Sequence, residues 1–128
     1  MDISTIFLQH YGPLYKAYLA GYWQQVPPEK MRIRPHPQVN SIAWNMWHIA
    51  RCEDAGVNRF VVDGTQVLDE GDWMARMGLP WRHHGTEMSL AEVDELNARI
   101  DLDGLQAYSQ GVQRRTRAIL VKLNAEDL

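Results

Sequence analysis

Cysteine is nearly missing from this chain of 128 residues, which has only Cys52. A single thiol excludes an intramolecular disulfide and a zinc finger built from several thiolates. It fits a reducing compartment. Long apolar runs are missing too, and none approaches the ~20 residues needed to cross a bilayer. The first residues, Met1-Asp-Ile-Ser-Thr-Ile-Phe7, lack the basic segment and apolar stretch of a secretory leader. A cytoplasmic protein with no membrane partner is expected. Positive charge is in deficit, with 13 Lys and Arg against 16 Asp and Glu and a net charge of -3. Nucleic acid is therefore not an expected partner, since no basic stripe is present. Arg114, Arg115 and Arg117 cluster on a predicted helix and read as a solvated face. Alternation of apolar and polar residues is also lacking, so strands are not expected.

What is present is helical patterning. Hydrophobic residues make up 45% of the chain, enough for one packed domain over residues 1–128. The first helical region spans about Ile3 to Gln25. Phe7, Tyr11, Leu14, Tyr18 and Tyr22 share one face, and Gly12-Pro13 predicts a kink or restart. Pro27-Pro28 ends it, and an extended connection follows to Val39. A second helix starts at Asn40 or Ser41 and stops at Asp63-Gly64, where glycine is expected to supply a left-handed turn. Gly56 inside it predicts close packing or slight bending. Thr65 to Glu87 reads as a long connection with a helical turn near Asp72–Met77. Ser89-Leu-Ala-Glu92 is a capping-box signature for a short helix ending near Arg99. Asp101 is placed to cap a further helix, with Leu105, Tyr108, Val112, Ile119 and Leu123 as its stripe up to Asn124.

The chemistry-bearing residues concentrate on the second helix. His48 stands among Trp44, Met46 and Trp47. Imidazole there is either a core residue satisfied by Asn45 or a backbone carbonyl, or a metal ligand. His48-x-x-x-Cys52 puts two donors on one helical face; the alternative is a cysteine that acts as a small buried hydrophobe. His83-His84 lie in a loop, where neighbours seldom reach one metal. They read as lining a cleft mouth or as solvated. Nothing in the sequence groups His10 or His36 with His48, although folding could bring His10 or His84 near it. Arg51, Glu53, Asp54 and Arg59 form either a buried polar network or a surface charge set. The set Trp44, Trp47, Trp73 and Trp81 reads as core.

The stretch Asn40-Ser-Ile-Ala-Trp44-Asn-Met-Trp47-His48-Ile-Ala-Arg51, with Glu53-Asp54 and Arg59-Phe60, resembles the DinB-like superfamily of metalloenzymes. Met88-Ser-x-x-Glu92-Val and Asp103-x-Leu105-x-x-Tyr108 extend the likeness. The resemblance implies an all-α fold: an up-down-down-up four-helix bundle, of which three long helices and a short one are present. It implies a homodimer and a divalent metal, nickel or zinc, held by three histidines. One matches His48; the other two form a His-x-x-x-His that this sequence does not contain. The metal triad is thus incomplete, and Asn124-Ala-Glu-Asp-Leu128 reads as a link into a further helix. The implied activity is that of a metal-dependent thiol transferase or hydrolase acting on a small molecule. The alternative is a non-catalytic helical module for binding or dimerisation.

Overall fold

The computed structural model describes residues 2–123 and Glu126. All regular structure among the described residues is helical. Asp2 caps α1 (Ile3–Leu14), its carboxylate accepting from the Thr5 amide at 2.8 Å. Pro13 lies inside α1 without restarting it. The irregularity comes two residues later, as a wide π-helical turn over Tyr15–Leu19, and α2 (Ala20–Gln25) then completes the rod. Pro28 opens the short α3 (Pro28–Met31), where its fixed φ is helical already.

Ser41 caps α4 (Ile42–Ala55) through the Trp44 amide. A second π-helical turn, Gly56–Val61, begins at the mid-helix glycine. A Cβ on Gly56 would meet nothing within 4 Å, so bending rather than close packing explains that residue. The left-handed residue at the end is Asp63, with φ 50°, and not Gly64. A short aspartate side chain tolerates that conformation.

The long connection is substantially structured. It holds a 3-10 turn at Val67–Glu70 and then α5 (Trp73–Met77), which Gly78 ends in the left-handed region at φ 71°. The full capping box of Ser89 and Glu92 opens α6 (Leu90–Arg99). Asp101 caps α7 (Leu102–Lys122) through the Gly104 amide. The expected end of this helix at Asn124 lies outside the described residues.

Packing orders these rods. The Ser4 hydroxyl donates to the Leu123 carbonyl, so α7 runs antiparallel to α1. Arg51 meets Tyr108 and Asn58 meets Arg115, so α7 runs parallel to α4. The three long rods are therefore up, down, down. A parallel pair needs a long crossover, and residues 62–101, with α5 and α6, supply it. Gly104 makes close approach possible where α5 crosses α7: a Cβ there would collide with the Arg76 carbonyl.

The core joins Met31, Ala43, Met46, Trp47, Leu68, Met77, Leu96, Ile100, Leu105, Tyr108 and Val112. Trp44 is buried, while Trp73 and Trp81 are half-buried against the same core. The α7 stripe is inward as expected, except that Ile119 is only half-buried. The α1 stripe differs. Phe7, Leu14 and Tyr22 keep 41%, 52% and 44% of their surface, while Ser4 and Tyr15 point inward. The Tyr18 side chain lies outside the described residues. The reason is the position of α7, which packs on both α1 and α4 and leaves a groove between those two. No helix among the described residues is long and apolar enough to cross a membrane.

Candidate metal centre

Spacing on α4 sets the first part of the site: Trp44, His48 and Cys52 are four residues apart and share one stripe. The Trp44 ring stacks on His48 with centroids 4.7 Å apart and planes 19° from parallel. The Cys52 sulfur lies 3.7 Å from each ring nitrogen of His48. His48 is half-buried and Cys52 is exposed.

The second part comes from the loop after α5. Arg51 donates to the Arg82 carbonyl at 2.6 Å and pins the loop to α4. Gly85 then passes over the helix at φ 97°, and a Cβ on it would stand 2.8 Å from the Trp44 ring and 2.9 Å from Trp47. Only glycine suits both the dihedral and the space. This close pass lets His48 Nδ1–H donate to the His84 carbonyl. The His84 ring sits 6.3 Å from that of His48. As a result the ligand atoms of His48, Cys52 and His84 all lie within 4.8 Å of one another, a group that could hold a metal ion.

The donor chemistry suits that use. A carbonyl on Nδ1 fixes the His48 tautomer and leaves the Nε2 lone pair for a Lewis acid. Two imidazoles and a thiolate form a donor set suited to zinc, and three protein ligands leave a fourth position open. Desolvation pushes the Cys52 thiol up from its ordinary value, with the charge of Arg51 pulling the other way. A metal would therefore have to displace that proton.

The other histidines do not join the group. His83 packs edge-on to Trp47 with centroids 6.1 Å apart, and its Nδ1 accepts from the Gly85 amide. His10 lines a cleft on α1. His36 accepts from the Gln38 amide. Asn45 is exposed and is not the partner of His48; the His84 carbonyl is.

Behind the site lies a network that the sequence left open between core and surface. Arg51 and Asp54 are buried at 2% and 0% exposure. Asp54 accepts from the amides of Val67 and Leu68 at 2.7 and 2.9 Å, from Asn58 at 2.9 Å and from the Tyr108 hydroxyl at 2.5 Å. Arg51 reaches Asp54, Tyr108 and Gln66 as well as the Arg82 carbonyl. Burial is the main cause that pushes the Tyr108 phenol well above its ordinary value. Arg59 stays outside, over the Phe60 ring at 5.8 Å. Glu53 faces the opposite way, toward α1 and α7. Of the expected solvated arginines, Arg114 and Arg117 are exposed, but Arg115 pairs with Glu70 and the Thr65 carbonyl.

The sequence left His84 as a residue that folding could bring near His48 without showing that it does; the positioning roles of Arg51 and Gly85 were missed. The only local signal was a glycine directly after the paired histidines. No curated protein matches the chain. The sequence does match the DinB superfamily over residues 16–128, a span that takes in α4, the loop bearing His84 and α7. The chain belongs to the DinB superfamily.

Proposed function

We propose that His48, Cys52 and His84 hold one divalent ion, with zinc favoured by the thiolate, and that the chain is a metal-dependent enzyme acting on a small molecule. The observation that supports this is the convergence of three donors from two separate segments within 4.8 Å. The expected ligand His48 is kept, and Cys52 and His84 supply two further donors beside it. When bound, the metal supplies a Lewis acid that polarises a substrate or acidifies water or a small thiol. The protein does the rest. The His84 carbonyl orients the His48 ring, Trp44 shields one of its faces, and Arg51 holds the loop that carries His84. Attack by a thiol makes this a transferase and attack by water a hydrolase. The nucleophile that such a site would activate decides between the two.

Cobalt substitution tests the ligand set. A stoichiometric Co2+ complex is expected to show a near-ultraviolet thiolate-to-cobalt charge-transfer band. That band should vanish in Cys52→Ser while binding persists more weakly. Stoichiometric cobalt without the band removes Cys52 from the set, and no stoichiometric binding ends the reading.

A second reading has its own observation. Phe60, Val61, Val62 and Val121 keep 78%, 44%, 43% and 65% of their surface at one end of the bundle. Such a patch suits pairing with another copy of the chain, the alternative of a dimerising helical module. Sedimentation equilibrium would show a dimer that Phe60→Asp dissociates; a monomer at all concentrations removes it.

A further inference from the structure

A cleft between α7 and the first rod takes no residue from α4 or from the loop of His84. Its volume is about 170 Å³, which suits one small ring rather than a drug-sized ligand. The wall on α7 is polar. Gln106, Ser109, Gln110 and Gln113 are three and four residues apart and form one stripe. Ser109 is only 4% exposed. Its oxygen accepts from the Gln113 amide at 3.3 Å, and its own proton has no acceptor among the described residues. The side chains of Gln106 and Gln110 bond to no other described residue, and neither does that of Gln24 from α2.

The facing wall is apolar, made by Tyr15, Leu19, Ala20 and the half-buried Trp23. The Tyr15 hydroxyl is given to Glu53 at 2.7 Å, so Tyr15 offers the cleft its ring. Tyr15 and Leu19 belong to the π-helical turn, a distortion that is frequent at functional sites. No Asp, Glu, Lys, Arg or His lines the cleft, so an ion entering it would lose water without meeting a counter-charge. A neutral ligand escapes that cost. Amides both donate and accept, and so do hydroxyls. The polar stripe runs for ~10 Å along α7, which suits hydroxyls spread around a ring better than the donors and acceptors gathered on one edge of a nucleobase. We propose that this cleft binds a neutral sugar ring, its hydroxyls on the amides of α7 and its C–H face on Trp23. The polar wall selects the hydroxyls, and the apolar wall selects the face that carries none.

Nitrogen-15 NMR titration of the full 128-residue chain tests the proposal, in buffer containing EDTA so that the metal centre plays no part. The probes are the methyl pyranosides of glucose, galactose and mannose, with cyclohexanol and uracil as controls. At least one sugar is expected to shift the side-chain amide signals of Gln106, Gln110 and Gln113 and the Trp23 indole signal saturably. It should bind at least tenfold more tightly than either control. The double variant Gln106→Leu, Gln110→Leu keeps the shape of the wall without its amides and should weaken that sugar at least tenfold. Ala20→Trp, at an exposed position, should fill the cleft and do the same. Circular dichroism checks each fold; if the double variant does not fold, Ala20→Trp together with the control ligands decides. The proposal is overturned if no sugar shifts these signals saturably, if a control binds as well as the sugar, or if either folded variant keeps full binding.

Discussion

Two faces of α4 carry polar groups within a few residues of each other and treat them in opposite ways. On the inner face Arg51, Asp54 and Asn58 are buried and meet partners from residues 66–68, 82 and α7. On the outer face His48 and Cys52 have each other, one loop carbonyl and the nearby ring of His84. Buried polar side chains that find several protein partners build the fold, although the Arg51 Nε has none. Polar side chains left with free lone pairs near one another are available to a ligand. The two faces are linked, because Arg51 uses the same guanidinium to bind Asp54 and to hold the loop that brings His84.

Breaking the inner face should have the largest effect. Asp54→Ala leaves the Arg51 charge buried without its counter-ion and frees two amides, which costs about 3–5 kcal/mol. Denaturant unfolding would measure it; a loss below ~1 kcal/mol would show that the network is ornamental. Arg51→Met should remove the loop anchor as well, so it should weaken metal binding in addition to stability.

The outer face should behave inversely. Zinc at a hundredfold excess over its dissociation constant should raise stability by about 2.7 kcal/mol in the wild type and by almost nothing in His48→Ala. In EDTA, Cys52→Ala should unfold within ~0.5 kcal/mol of the wild type, since an exposed thiol contributes little packing. Thermal melts with and without metal separate these two statements.

Alkaline pH probes the inner clusters more gently. Tyr11, Tyr15 and Tyr108 are held neutral mainly by burial, with Glu53 acting on the first two and Asp54 on the third. Their folded values are raised, so their contribution is intact below the unfolded-state value of about 10. It falls as pH climbs past that value, by up to ~1.4 kcal/mol per pH unit for each. Urea unfolding at pH 8 through 11 should show this decline, reduced in Tyr15→Phe. One further effect is local: Ser89→Ala removes the capping box of α6 and costs about 1 kcal/mol.

Legibility followed the range of the interactions. The caps at Ser41, Ser89 and Asp101 involve residues three apart, so the sequence displayed them directly. The all-helical class and the inward stripe of α7 follow from periodicity in the same way. The half-exposed stripe of α1 did not, because periodicity marks a face without saying what covers it. His48 stood out through its apolar neighbours and its family resemblance. His84 did not, since its approach depends on a glycine fitting against two tryptophans and on the distant Arg51 holding the loop through the Arg82 carbonyl. The roles of Asp54 and Glu53 diverge for a similar reason: adjacent in sequence, they point to different elements about 100° apart around the helix.

Metal analysis of the wild type beside His84→Ala tests the central claim most directly. The account predicts one zinc per wild-type chain after dialysis against trace metal, and at least a tenfold weaker affinity in His84→Ala with the helical content unchanged. A wild type that retains no stoichiometric metal, or a His84→Ala protein that binds it equally well, would contradict it.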